Sequence, residues 1–208
     1  QPVRVPAGAT PNLAAGVFQQ GLTAHYLTTS TYALQTGDRC LVHAAAGGVG
    51  LHLCQMGRMR GALAIGTAST EEKLALAREA GAVHVINYRE KDFAAEVKTV
   101  TNGAGVPVVY DSVGRATFEG SLDCLRKRGT MVLFGQSSGA VPAVDPQVLN
   151  RKGSLFLTRP TLNDYVATRA ELLERSGELL AWVGEGRLSV RIGLELPLVR
   201  AADAHRAL

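Results

Sequence analysis

The chain has 208 residues, 46% of them hydrophobic and 5% aromatic, with a formal net charge of +4. That is enough apolar material for one large domain, and the charge is mild, with no dense Lys/Arg block among aromatics, so nucleic acid is not the leading partner. Three widely spaced cysteines with no C-x-x-C pair argue against a disulfide framework or a zinc ribbon and for a reducing, cytoplasmic setting; no apolar run approaches membrane-spanning length.

The chain opens at Gln1-Pro2-Val3 without Met and stops inside a helix-like pattern ending Ala204-His205-Arg206-Ala207-Leu208, which reads as a fragment cut from a longer protein. Residues 1–10 are punctuated by Pro and Gly and read as a loop. From Pro11 an apolar pattern through Leu27 predicts a helix, broken near Gly21. Thr36-Gly37-Asp38 is a turn. Arg39 to His43 is an apolar strand that runs into a glycine cluster ending at Gly50, and Val49, Leu51, Leu53, Cys54 and Met56 then follow at helical spacing.

From there strands and helices alternate. Residues 63–66 predict a second strand, and Thr70 caps a helix that Gly81 stops. Residues 83–86 are a third strand, 92–101 a helix closed by Asn102-Gly103, and 106–110 a fourth, wholly apolar strand. Residues 117–125 are helical, ended by a basic turn at Arg126-Lys127-Arg128-Gly129, and 130–134 form a fifth strand. A Gly/Pro loop spans 137–146, a sixth strand 154–159 and a long helix 165–183, and 188–196 revert to strand. The pattern is that of parallel β-α-β crossovers with helices on both faces. The expected fold is α/β, a doubly wound parallel six-stranded sheet of Rossmann type.

The turn after the first strand reads Ala45-x-Gly47-x-x-Gly50, the G-x-G-x-x-G fingerprint with Ala in first place. A missing Cβ at Gly47 lets a diphosphate approach the backbone, and Gly50 lets the helix pack on its strand. At the end of the second strand, Gly66-Thr67-Ala68-Ser69-Thr70 holds no carboxylate for a ribose 2′-hydroxyl, and Lys73 follows within one helical turn. Hydroxyls, helix amides and an ammonium suit a 2′-phosphate, so the pattern favours NADP over NAD. Other phosphate binders fail on detail. No Lys follows Gly50 as a P-loop requires, and a methyltransferase would want an acid after the second strand. The short-chain dehydrogenase Tyr-x-x-x-Lys is absent too, since Ser30, Thr36, Asp92, Gly114 and Arg169 stand four residues after the five tyrosines. The histidines show no ligand spacing, so no metal is expected.

Several blocks carry a resemblance: from His43 to Gly50, Val85-Ile86-Asn87-Tyr88-Arg89-Glu90, Tyr110-Asp111-Ser112-Val113-Gly114, Ser121-Leu122-Asp123-Cys124-Leu125 and Lys152-Gly153-Ser154-Leu155. Together they resemble the quinone oxidoreductases, the zinc-independent, ζ-crystallin-like branch of the medium-chain dehydrogenase/reductase superfamily. The resemblance implies NADPH-dependent reduction of a quinone or another electrophilic small molecule. By position it implies Ser69, Lys73 and Tyr88 as the 2′-phosphate and adenosine contacts, and Ala46, Gly47, Gly48, Val49 and Gly50 as the pyrophosphate turn. It implies Thr23, Phe134, Gly135, Gln136, Ser137, Phe156, Leu157 and Thr158 as neighbours of the nicotinamide.

It also implies that residues 1–20 lead in from a GroES-like catalytic domain, that 21–160 are the NADPH-binding domain, and that 161–208 return toward the catalytic domain. No catalytic acid is assigned. The region where zinc-dependent relatives carry a Cys reads Asn12-Leu13-Ala14-Ala15-Gly16-Val17, without one. A homodimer through the edge strand from Ser154 to Thr158 is the family habit. Two other readings stand beside the first: an enoyl or alkenal reductase of the same superfamily, and a non-catalytic nucleotide- or RNA-binding module.

Overall fold

The structure, a computed structural model, describes residues 2–6 and 8–207. Among them six strands form one sheet: β1 Arg39–Val42, β2 Leu63–Ala68, β3 Ala82–Asn87, β4 Val106–Asp111, β5 Leu125–Leu133 and β6 Phe156–Thr158. The order is β3-β2-β1-β4-β5-β6 and every pairing is parallel. The chain winds outward from β1 to β3 and then crosses back to β4. This reversal opens a crevice at the carboxyl ends of β1 and β4.

The helices are α1 Pro11–Tyr26, α2 Gly48–Met59, α3 Glu71–Ala80, α4 Phe93–Val100, α5 Phe118–Cys124, α6 Gln147–Arg151, α7 Leu162–Tyr165, α8 Arg169–Gly184 and α9 Ala201–Ala207. Neighbouring strand residues face opposite ways, and both faces are covered. Val42, Val108, Tyr110 and Val132 join Val17, Leu53, Met56 and Leu179 in one buried cluster under α1, α2 and α8. Leu41, Ile65, Val109 and Met131 join Val97, Phe118 and Leu122 in the other, under α4 and α5. This is why the strands read as continuous apolar runs without alternation.

Four expectations are corrected. First, α1 is not broken near Gly21; it runs on to Tyr26 and ends in a π-turn at Leu27–Thr31. A Cβ on Gly21 would lie 2.8 Å from Leu179 Cδ1, so this glycine serves the close approach of α8. Second, the basic residues do not end an element. Val106 pairs with Leu125 and Val108 with Thr130, so Arg126 to Gly129 bulge within β5, with Arg128 at φ 59°. Third, the long helix predicted from Tyr165 is two helices. Thr168 restarts the chain as α8 through a reciprocal capping box with Glu171.

Fourth, residues 188–196 are not a strand. The side-chain amide of Gln55 takes both backbone groups of Ser189, accepting from its N–H (2.8 Å) and donating to its carbonyl (3.1 Å). Val190 and Ile192 rest against Gly16 of α1, so the segment packs on helices rather than on a sheet edge.

Candidate functional site

At the end of β1 the His43 N–H still donates to the Tyr110 carbonyl (3.0 Å), as a ladder bond would. Ala44 then turns the chain at φ 50°, the Ala45 N–H donates to the Thr67 carbonyl (3.0 Å), and the Gly47 N–H closes the turn on Ala44 (2.9 Å). Gly47 caps α2 with no side chain, so no side chain competes for the first-turn N–H groups of α2, which an anion can satisfy. A Cβ on Gly50 would fall 2.4 Å from the Ala44 oxygen and 2.7 Å from Ala45 Cα. Only glycine lets α2 sit this close to its strand. At Gly48 a Cβ would meet only the end of the Gln20 side chain, which can move aside.

Beside this turn is a cavity of 180 Å³ lined by Ala44, Ala46, Gly47, Ala68, Ser69, Lys73 and Tyr88. Local structure puts each there. β2 ends at Ala68, whose carbonyl accepts from Tyr88 N–H (3.2 Å), and Thr70 Oγ1 accepts from Lys73 N–H (3.4 Å) as the cap of α3. No carboxylate lines the cavity. Of the two glutamates between Ser69 and Lys73, Glu71 is engaged by Arg78 at 2.5 Å, and neither lines the cavity.

A second cavity, of 410 Å³, shares Ala44 and Tyr88 with the first. Its lining adds His43, Thr67, Phe93, Val113, Ala116, Thr117, Ser137 and Ser138. Behind this wall lies a buried polar chain. His43 Nδ1 is 3.0 Å from Thr67 Oγ1, and His43 Nε2 is 3.0 Å from Ser121 Oγ. Ser121 Oγ donates to Asp111 Oδ2 (2.9 Å), and Asp111 is fully buried. Burial pushes the His43 imidazole down to about 4, against a smaller opposing pull from the Asp111 charge.

The remaining predicted residues are distributed unevenly. The N–H groups of Phe134 and Gly135 both donate to the Asp111 carbonyl (2.8 and 3.3 Å), and Ser137 N–H donates to the Ser112 carbonyl (3.1 Å). Residues 134–137 therefore lie along the end of β4, and Ser137 reaches the larger cavity. Phe134 packs partly buried on the α1 side of the core, and Gln136 lines neither cavity. Thr23 Oγ1 donates to the Gln19 carbonyl of its own helix (2.8 Å) and faces neither. On β6, Phe156 is 62% exposed at the sheet edge, Leu157 packs into the α4–α5 core, and Thr158 pairs with Val132. Val49 and Gly50 form the first turn of α2, and Gly48 lines a separate cavity behind it with Gln20.

Of the residues lining the larger cavity, sequence reasoning reached only Tyr88 and Ser137; it missed His43, Ala44, Thr67, Phe93, Val113, Ala116, Thr117 and Ser138. Only one local signal was available, the placement of His43 and Thr67 at predicted strand ends.

The three cysteines are free and buried, on β1, α2 and α5. Burial pushes the Cys54 and Cys124 thiols up to about 12, and the Cys40 thiol higher still. Among the described residues no group of three or more His, Cys, Asp or Glu side chains is placed to hold a metal ion.

Residues 48–174 match the family model for zinc-binding dehydrogenases. The chain is 48% identical over 206 residues to quinone oxidoreductase 1 of Escherichia coli (strain K12), a match covering 98% of this chain and 63% of that relative. It is 46% identical over 193 residues to a 2-haloacrylate reductase of a Burkholderia species, covering 92% and 58%. The crystal structure of E. coli quinone oxidoreductase complexed with NADPH superposes with a TM-score of 0.90 at 49% identity, over 92% of this chain and 59% of that one. In each case the chain spans less than two thirds of its relative. The family's name implies zinc, and the described residues do not fit one. The family model covers more than half of the chain, and the fold and glycine turn agree with it: the chain belongs to the zinc-binding dehydrogenase family of the medium-chain dehydrogenase/reductase superfamily.

Proposed function

We propose that this chain is the nucleotide-binding part of an NADPH-dependent quinone reductase. The observation that carries the reading is the smaller cavity, which joins the glycine turn to Ser69, Lys73 and Tyr88 without a carboxylate. A ribose 2′-phosphate needs donors and a cation, and a carboxylate would repel it. In this reading the backbone from Ala46 to Gly50 holds the pyrophosphate against the start of α2. Ser69 and Lys73 take the 2′-phosphate, and Tyr88, shared by both cavities, lies against the adenosine. Bound NADPH supplies the hydride. Thr23, Phe134, Gly135, Gln136, Ser137, Phe156, Leu157 and Thr158 are the proposed surroundings of the nicotinamide. No residue of this chain is assigned a proton.

The quinone is taken from the names of the relatives. The 2-haloacrylate reductase favours a second reading, reduction of a C=C bond beside a carboxyl or carbonyl group. Titration of the chain with NADPH and NADH, followed by fluorescence, tests the cofactor half: NADPH is expected to bind at least about tenfold tighter, in line with one charge-assisted phosphate contact. Equal affinities would refute it. NADPH oxidation by the longer protein, with a quinone and a 2-haloacrylate side by side, decides between the two substrates.

We read residues 1–20 and 161–208 as segments joining the nucleotide-binding domain, 21–160, to a catalytic domain. A homodimer through the segment from Ser154 to Thr158, of which the structure makes only Phe156–Thr158 a strand, goes with this, supported by the exposed Phe156 on β6. Phe156→Asp should halve the sedimenting mass; an unchanged mass rejects the dimer. A cytoplasmic location suits the unpaired, buried cysteines.

A further inference from the structure

We infer that His43 is a positioning residue for the nucleotide, held as one neutral tautomer that ties the ends of β1, β2 and β4 to the wall of the larger cavity. The inference rests on the nucleotide-binding reading above.

The direction of every bond in the chain follows from Asp111. Four donors converge on its carboxylate: the N–H groups of Val113 (2.7 Å) and Gly114 (3.0 Å) on Oδ1, and the hydroxyls of Thr117 (2.7 Å) and Ser121 (2.9 Å) on Oδ2. Among the described residues no cation pairs with this fully buried group, so these donors stabilise it. Ser121 spends its only hydrogen on Asp111. Its contact with His43 Nε2 must therefore run the other way, with the ring N–H donating. A neutral ring protonated at Nε2 carries a lone pair at Nδ1, which accepts the Thr67 hydroxyl hydrogen. The proton order is fixed from Thr67 on β2, through His43 after β1, to Ser121 on α5 and Asp111 on β4.

Each station supports the cavity wall. Thr67 and Thr117 line it, and Val113 lines it from the loop that Asp111 organises. Phe93 lines it too and stands edge-on to the His43 ring, with centroids 4.8 Å apart at 85°. On its far side Phe93 is pressed against α5, where a Cβ on Gly120 would fall 2.6 Å from Phe93 Cζ. His43 is thus the bonded hub of the wall, and removing its Nε2–H strands a buried Ser121 acceptor while removing Nδ1 strands the Thr67 donor.

Two measurements on the 208-residue chain test this. Nitrogen NMR of the His43 imidazole at neutral pH should show Nε2 protonated and Nδ1 bare; the opposite tautomer, or a charged ring, overturns the inference. NADPH affinity, by calorimetry, should then fall about tenfold in His43→Phe, which keeps the ring's bulk and loses both bonds. It should be largely restored in His43→Gln, whose amide N–H can replace Nε2 toward Ser121. Folded content is checked by far-ultraviolet circular dichroism, and Thr67→Val, which removes only the outer donor, provides a second variant if His43→Phe does not fold. Parent and variants binding NADPH equally would overturn the positioning role alone. A parent that does not bind NADPH would overturn the nucleotide-binding reading, and the positioning role with it.

Discussion

Over β1, β2 and β3 the strand ends are tied to one another, Ala45 N–H to the Thr67 carbonyl and Tyr88 N–H to the Ala68 carbonyl, and a buried polar chain backs them. Over β5 and β6 the sheet thins to a three-residue strand with Phe156 62% exposed, and of the proposed nicotinamide neighbours there only Ser137 lines either of the two cavities beside the glycine turn. The first end is a preformed cradle. The second is a scaffold edge whose side chains pack into the core or face solvent rather than line the two cavities beside the turn. Binding energy for the dinucleotide should therefore be concentrated at the phosphate and adenosine end, and substitutions should reveal that asymmetry.

The largest effect is expected where backbone meets backbone. Gly50→Ala puts a Cβ 2.4 Å from the Ala44 oxygen, so α2 must move off its strand, a cost on the order of 3 kcal/mol. Gly48→Ala, which meets only the movable Gln20 side chain, should cost less than about 1 kcal/mol. Urea denaturation of the two variants checks this; equal midpoints would mean that the turn is not close-packed.

Next comes the pH response of the same end. The His43 pKa is depressed to about 4, chiefly by burial, from an ordinary value of 6.5. Between those values the unfolded chain binds a proton that the folded chain refuses, so stability rises with pH through this window. The contribution is complete above about pH 6.5 and is lost as pH falls to about 4, at most on the order of 3 kcal/mol. Burial also lowers His25 and His52, which act in the same direction. His25 sits among Glu178, Arg175 and Arg60, away from the turn. The His43 share is therefore read as the difference between parent and His43→Phe stability profiles. If the two profiles run parallel from pH 7 to pH 4, His43 is not held neutral by the fold.

A smaller effect concerns cofactor choice. If Lys73 takes the 2′-phosphate as proposed, Lys73→Ala should weaken NADPH about tenfold, roughly 1.4 kcal/mol, and leave NADH, which lacks that phosphate, unchanged. Equal loss for both nucleotides would place Lys73 elsewhere.

The parts of this design that could be read in the sequence are those set by neighbours along the chain. The turn from Ala44 to Gly50 follows its strand directly, and Ser69 and Lys73 are placed by the cap at Thr70, so their convergence was legible. The sheet was legible because both faces are covered, leaving unbroken apolar runs. The buried chain was not, since His43 finds Thr67 24 residues on and Ser121 78 residues on, and no local spacing encodes that. Gly21 misled for the same reason: it looks like a helix breaker until Leu179 is brought against it. Residues 188–196 misled likewise, because Val190 and Ile192 meet Gly16 of α1, a contact far away in the chain, rather than flank a strand.

The smallest expected effect lies at the scaffold edge. Gln136 follows β5 and lines neither cavity, although its backbone is held by the Gly139 N–H on its carbonyl (2.9 Å). Gln136→Ala should leave stability within about 0.5 kcal/mol and NADPH affinity of this chain within about twofold. The same measurement on Lys73→Ala gives the contrast. If Gln136→Ala instead weakens NADPH as much as Lys73→Ala does, the nicotinamide end already grips the dinucleotide in this chain. The cleft would then be evenly loaded rather than anchored at its phosphate end.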